Sequence, residues 1–165
     1  MKNILALFLL ISSTVCFGQM AGTVMVKQHD ARPNFEERPY GKDDISYGLF
    51  LDVFEGVGGW RFGASFSEDL TGRPVVDSVV TPEITLLVVD QIWETGLSIL
   101  VDYLDIEGDE GWGDVYFQAQ FGINFPVGNR FSLGAHAFYP MENWEDLFDI
   151  GFSDLDLAVQ FRIFF

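Results

Sequence analysis

Residues 114–125, which read DVYFQAQFGINF, decide the fold class. Every second residue from Val115 to Phe125 is apolar, and the residues between them are Tyr, Gln, Gly or Asn. A period of two places alternate side chains on opposite faces of an extended chain. The segment is therefore predicted to be a β-strand with one apolar face and one polar face.

The same alternation recurs along the chain and predicts eight strands. They cover residues 20–28, 45–54, 60–67, 82–90, 93–103, 114–125, 130–139 and 155–165. The two weaker candidates are 20–28 and 82–90. In the second of them Leu87 and Val89 interrupt the polar face. Long and short connectors take turns, which is typical of an antiparallel meander. The six prolines are all expected in connectors or at strand ends, where a missing N–H breaks no ladder.

The first 18 residues have the pattern of a secretory signal peptide. Lys2 supplies a positive start, residues 4–15 are mostly apolar, and Cys16-Phe17-Gly18 is a cleavage-site candidate. We expect residues 19–165 to form one β-barrel domain. Cys16 is the only cysteine, so cleavage would leave neither disulfide nor thiolate chemistry. A lipoprotein acylated at Cys16 is the alternative.

Composition excludes several classes of protein. The chain has 25 acidic and 9 basic residues, a net charge of −16, and is 48% hydrophobic with 17 Phe. The acidic excess argues against nucleic-acid binding, and the apolar content argues against disorder. No stretch after the signal reaches the roughly 18 to 20 apolar residues that a membrane helix needs. The apolar residues alternate instead.

Alternation alone fits either a membrane barrel or a soluble one. The apolar faces run over about 9 to 11 positions, which is the length that a tilted strand needs to cross hydrocarbon. The opposite faces carry small polar residues and charges that suit a lumen filled by side chains. The predicted polar plug comprises Lys27, Asp52, Arg61, Asp102, His136, Asp156 and Arg162. A secreted, lipocalin-like soluble barrel that binds an apolar ligand is the alternative.

Aromatic and acidic residues separate the two ends of the predicted barrel. Trp60 and Trp93 fall at one rim and Trp112 and Trp144 at the other, as in the aromatic girdles of membrane barrels. Nearly all connector acids lie in the long connectors, and the short turns carry only two, Glu55 and Asp90. The long connectors are therefore expected to form acidic extracellular loops.

The chain resembles the small eight-stranded bacterial outer-membrane β-barrels. Its sharpest motif is the terminal strand, in which Phe161, Ile163 and Phe165 alternate and the last residue is Phe. This strand looks like the C-terminal signal that the barrel-insertion machinery reads. The resemblance implies an eight-stranded antiparallel up-and-down transmembrane barrel in the bacterial outer membrane, in contact with outer-membrane lipid.

An eight-stranded barrel is filled by its own side chains, so an open pore is not implied. Some members of the barrel family that this chain resembles are lipid-modifying enzymes, which use a His with a Ser and a carboxylate. Here His136 faces inward with Ser132 and Asp156 as candidate partners, but Phe138 occupies the place of the Ser in the His-x-Ser of the lipid-A deacylase barrels. We expect no enzyme and no cofactor. A lipid-modifying enzyme centred on His136 is the alternative.

The acidic run DIEGDEGWGD at residues 105–114 superficially resembles a calcium loop. The full D-x-[DN]-x-[DN]-G-x₅-E pattern is not met, so solvated loops and no metal site are expected. Weak bridging of divalent cations to anionic lipid head groups remains an open alternative. The predicted role is structural, or one of adhesion or contact with an extracellular ligand.

The terminal strand yields the first testable prediction. Deleting Phe165 should lower the amount of folded, heat-modifiable barrel in cells far more than it lowers the stability of protein refolded in detergent. The reason is that the deletion removes an assembly signal as well as one ring at the rim. The measurement compares gel mobility of envelope fractions with denaturant titration of refolded protein. A deletion variant that reaches the outer membrane at wild-type levels would contradict the assignment.

Overall fold

The computed structural model describes residues 19–30, 39–71, 76–106, 109–142 and 155–165. They form eight strands: β1 (Gln19–Gln28), β2 (Ile45–Glu55), β3 (Gly58–Glu68), β4 (Ser78–Asp90), β5 (Trp93–Ile106), β6 (Asp109–Val127), β7 (Phe131–Met141) and β8 (Asp156–Phe164). Each strand pairs antiparallel with the next, and β8 pairs with β1 to close a barrel. The predicted eight-stranded antiparallel up-and-down barrel is confirmed. Among the described residues no helix is long and apolar enough to cross a membrane.

The β1–β8 ladder removes the free edges of the sheet. It runs from the Ala21–Phe164 pair to the Gln28–Leu157 pair. Beyond it, the Phe165 N–H donates a hydrogen bond of 3.0 Å to the Met20 carbonyl. A closed ladder pairs backbone groups that would otherwise lack partners in hydrocarbon.

The faces of the barrel are the reverse of those of a soluble protein. Leu49 is 69% exposed and Ile99 55% exposed on the outer face, whereas Asp52, Arg61 and Glu94 are 0% exposed inside. A soluble barrel with an apolar interior would bury the first group and expose the second. The distribution suits a barrel whose outer face meets lipid.

Strand β4 is longer than the sequence predicted, and one proline expectation is wrong. Pro82 lies inside β4, opposite Ala64 of β3. On its other side the register passes from Val80–Tyr103 to Glu83–Leu100, so the proline lies where the ladder to β5 is interrupted. The missing N–H is tolerated there for that reason.

The β5–β6 hairpin also extends further than predicted. Residues 107–113 were expected to be a Gly- and acid-rich loop, but β5 ends at Ile106 and β6 begins at Asp109, and these two residues pair. The Tyr103 and Trp112 rings meet edge to face at 4.8 Å, and the Tyr103 hydroxyl donates to Glu110 at 2.6 Å. Backbone pairing and these contacts sustain a hairpin whose sequence has loop composition.

Buried apolar clusters lie toward both ends of the lumen. Ala21, Phe54 and Leu87 pack together near the short turns, with Val89 and Phe164 against them. A second cluster lies near the long connectors and comprises Tyr40, Leu70, Val76, Val79 and Leu104. Leu87 and Val89, which interrupt the polar face of β4, therefore belong to the apolar cluster at the short-turn end.

Candidate functional site

Four charged residues meet inside the lumen, toward the short turns, and form what we call the central charge cluster: Asp52, Arg61, Glu94 and Arg162. Arg61 binds the Asp52 carboxylate through Nε at 2.8 Å and Nη2 at 3.0 Å. Arg162 bridges the two acids, with Nε 2.8 Å from Asp52 and Nη2 2.8 Å from Glu94. Two positive and two negative charges therefore balance, although they come from four different strands.

Neutral donors complete the coordination of both carboxylates. Thr23 donates to Asp52 at 2.8 Å, and Gln120 and Asn124 donate to Glu94 at 3.2 and 3.0 Å. Buried charges are tolerated when they are paired and hydrogen-bonded in this way. The cluster links β2 and β3 to β5 and β8, strands that are not all neighbours in the sheet.

Sequence reasoning listed Asp52, Arg61 and Arg162 but missed two buried carboxylates. Glu94 lies on the inner face of β5, next to the exposed Trp93. Glu83 accepts hydrogen bonds from Thr85 at 2.5 Å and Ser98 at 3.0 Å. Inward parity along β4 and β5 was the signal that could have identified both.

The remaining plug residues lie nearer the long connectors. The Lys27 ammonium donates to Gln118 at 3.0 Å and lies 4.4 Å from the centre of the Phe138 ring. Asp102 accepts hydrogen bonds from Thr81 at 2.5 Å and Tyr116 at 3.2 Å. The polar interior thus continues from the central charge cluster toward the long connectors.

His136 is buried, but the structure does not join it to the partners that the sequence suggested. Its Nε2 atom is 3.4 Å from Asn124 Oδ1, and its Nδ1 atom is 4.0 Å from Glu94 Oε1. Among the described residues the Ser132 hydroxyl has no hydrogen-bond partner. The ring occupies space that side chains at Gly122 and Gly134 would fill.

The pairing of His136 with Asp156 that the enzyme alternative would use is not formed, and the register explains why. In the β7–β8 ladder His136 lies opposite Ala158, whereas Asp156 lies opposite Phe138. Asp156 is therefore displaced toward the long-connector end. There it contacts His29 of the chain just after β1, with Oδ2 3.1 Å from His29 Nδ1.

Three of the tryptophans fall in the described residues, at both ends of the barrel. Trp60 is the third residue of β3 and Trp93 the first of β5, both beside the short turns, and each is about half exposed. Trp112 lies toward the other end of β6 and faces outward, and Trp144 lies outside the described residues. Phe161, Ile163 and Phe165 all point outward near the short-turn end.

One acidic connector residue is structural instead of solvated. Asp44 is buried and accepts hydrogen bonds from the Gly41 and Thr71 N–H groups at 2.6 and 2.9 Å and from the Thr71 hydroxyl at 2.8 Å. It therefore ties two connectors together. Within the described ranges no group of three His, Cys, Asp or Glu residues is arranged to hold a metal ion.

The comparisons with known proteins bear on the fold. The crystal structure of Neisserial surface protein A (NspA) matches with a TM-score of 0.56, covering 90% of this chain and 97% of that chain at 10% identity. No family model and no curated protein sequence matches. At this identity the similarity shows the fold alone. The chain has the fold of the small eight-stranded outer-membrane β-barrels, as the sequence predicted.

The central charge cluster generates a stability prediction. Arg61→Met should destabilise the barrel by about 3–5 kcal/mol, because it leaves the cluster with an unbalanced buried negative charge. Adding Asp52→Asn restores neutrality and should recover part of that loss. The measurement is urea titration in detergent micelles followed by tryptophan fluorescence. A single variant as stable as wild type, or a double variant less stable than the single one, would contradict the account.

Proposed function

We propose that the chain is a bacterial outer-membrane β-barrel with a structural role that displays its acidic long-connector end at the cell surface. The observation that carries the proposal is the reversal of faces, with apolar side chains exposed outside and charges buried inside. Each Å² of exposed apolar surface costs about 25 cal/mol in water, and hydrocarbon removes that cost. The closed ladder also pairs the backbone N–H and C=O groups, which find no partners in the hydrocarbon of a bilayer.

Three features support the location in the outer membrane. The predicted signal peptide would export the chain, and the terminal strand suits the barrel-insertion machinery. Closed barrels of this kind belong to the outer membrane. The matching structure is named as a surface protein, which agrees with display of one end outside the cell.

A structural role fits the interior better than transport does. The central charge cluster and the apolar groups at both ends fill the lumen. The role would then be exercised through the outer surfaces: lipid around the wall, and adhesion or contact with an extracellular ligand at the acidic end. Weak divalent cations bridging this end to anionic head groups fit the same surface, because hard cations prefer oxygen ligands.

Cysteine labelling tests location and orientation together. The predicted mature domain has no cysteine. Lys42→Cys places a thiol on the long-connector side, and Val57→Cys places a matched exposed thiol on a short turn. In intact cells a membrane-impermeant maleimide should modify the first variant, and it should modify the second only after lysis.

Two outcomes would contradict the proposal. Labelling of Val57→Cys but not Lys42→Cys in intact cells would reverse the orientation. Recovery of both variants in the soluble periplasmic fraction would end the membrane assignment.

A further inference from the structure

A second polar cluster lies at the long-connector end of the lumen and is formed by Ser46, His29 and Asp156. The His29 Nε2 atom is 2.9 Å from Ser46 Oγ, and the His29 Nδ1 atom is 3.1 Å from Asp156 Oδ2. All three side chains are buried. A hydroxyl on one ring nitrogen and a carboxylate on the other is the arrangement that activates a serine as a nucleophile.

The carboxylate is itself held in place. The Asp30 N–H donates to Asp156 Oδ1 at 3.0 Å, which leaves Oδ2 directed at the His29 ring. A proton on Nδ1 then satisfies the carboxylate, so Nε2 is free of hydrogen and accepts from the Ser46 hydroxyl. This tautomer is the one that a general base requires.

A basic residue is the cross-strand neighbour of the nucleophile. In the β1–β2 ladder Lys27 is paired directly with Ser46, and both side chains face the lumen. Directly opposite residues have Cβ atoms about 4.5–5.5 Å apart. The ammonium group itself lies further along the lumen, 3.0 Å from Gln118 Oε1 and 4.4 Å from the centre of the Phe138 ring, so Lys27 adds positive charge to this part of the interior without contacting Ser46.

The base is covered by one aromatic ring that does not belong to a strand. Tyr40 stacks on His29 with the ring centres 3.8 Å apart and the planes 13° apart. Its hydroxyl is 2.8 Å from Thr81 Oγ1, which anchors the ring across the mouth of the barrel. Among the described residues, access to the His29 ring from the long-connector side therefore requires the Tyr40 ring to move.

We propose that Ser46, His29 and Asp156 form a hydrolytic site for carboxylic esters, reached from the long-connector end when Tyr40 is displaced. The inference goes beyond the proposed structural role and does not depend on it. The enzyme alternative in the sequence analysis was centred on His136. The site proposed here uses His29 instead.

The reaction follows from the contacts. Ser46 Oγ bonds to the ester carbonyl carbon while its proton passes to His29 Nε2, and the carbon–alkoxy bond breaks as the alcohol takes that proton. Water then adds to the acyl-serine and gives its proton to Nε2. Collapse releases the carboxylic acid and returns the proton to Ser46. No oxidant, reductant or metal is consumed.

The test uses the full barrel purified in detergent micelles. A fluorophosphonate probe should attach to Ser46, as located by peptide mass spectrometry, and His29→Gln should slow attachment about 100-fold or more, the usual contribution of a general base. Ser46→Ala should abolish it. Ser67→Ala is the matched control, because Ser67 is buried on the neighbouring strand and bonds the Ile45 carbonyl instead of a histidine.

Ser46 could fail to react with the probe only because the site is covered. Tyr40→Ala controls for this, because it removes the ring that stacks on His29 and should speed labelling of Ser46. Hydrolysis of p-nitrophenyl butyrate and release of fatty acid from phosphatidylglycerol vesicles distinguish a soluble ester from a lipid ester. Heat-dependent gel mobility confirms that each variant is folded. No adduct at Ser46 in folded wild type and Tyr40→Ala would overturn the proposal. So would labelling that is indifferent to His29→Gln, or an adduct without hydrolysis of either ester.

Discussion

The closed ladder of backbone hydrogen bonds is the constraint on which the rest of the structure depends. A strand edge left open in hydrocarbon would leave N–H and C=O groups without partners, at several kcal/mol each. Pairing of β8 with β1 removes that edge. Once eight strands close, each strand residue faces either the outside or the lumen, and the alternation of the sequence follows that choice along most of each strand.

The narrow lumen then decides what the polar faces do. Side chains of eight strands fill such a barrel, so charged side chains that point inward have to form ion pairs and hydrogen bonds with each other. This requirement is met toward the short-turn end by a neutral group of Asp52, Arg61, Glu94 and Arg162. The His29, Ser46 and Asp156 contacts satisfy it again near the long connectors. The same polar interior thus links strands across the lumen and contains the contacts on which the proposed hydrolytic site rests.

The period of two was sufficient for the fold. It predicted eight strands, their antiparallel order and the inward placement of Asp52 and Arg61, because a closed barrel imposes the same parity on every strand. It failed where composition and pairing disagree. Residues 107–113 have loop composition, yet part of this stretch is paired in β6, and Pro82 lies within β4 at a gap in one ladder.

The site was less predictable because contacts across the lumen depend on register. Parity indicates that His136 and Asp156 both point inward, but only the β7–β8 register shows that Asp156 lies opposite Phe138. His29 lies just beyond β1, outside the alternating segment on which parity could act. Its two partners, Ser46 of β2 and Asp156 of β8, are 17 and 127 residues away in sequence, so no local pattern could join the three.

The most direct test of the account compares two neighbouring leucines in β4. Leu86 is 46% exposed on the outer face, and Leu87 is 0% exposed in the lumen. With methyl-labelled protein in lipid nanodiscs, nuclear Overhauser effects from acyl-chain protons should reach the Leu86 methyls and be absent at the Leu87 methyls. Equal effects at both leucines, or effects at Leu87 alone, would contradict a barrel whose apolar face meets lipid.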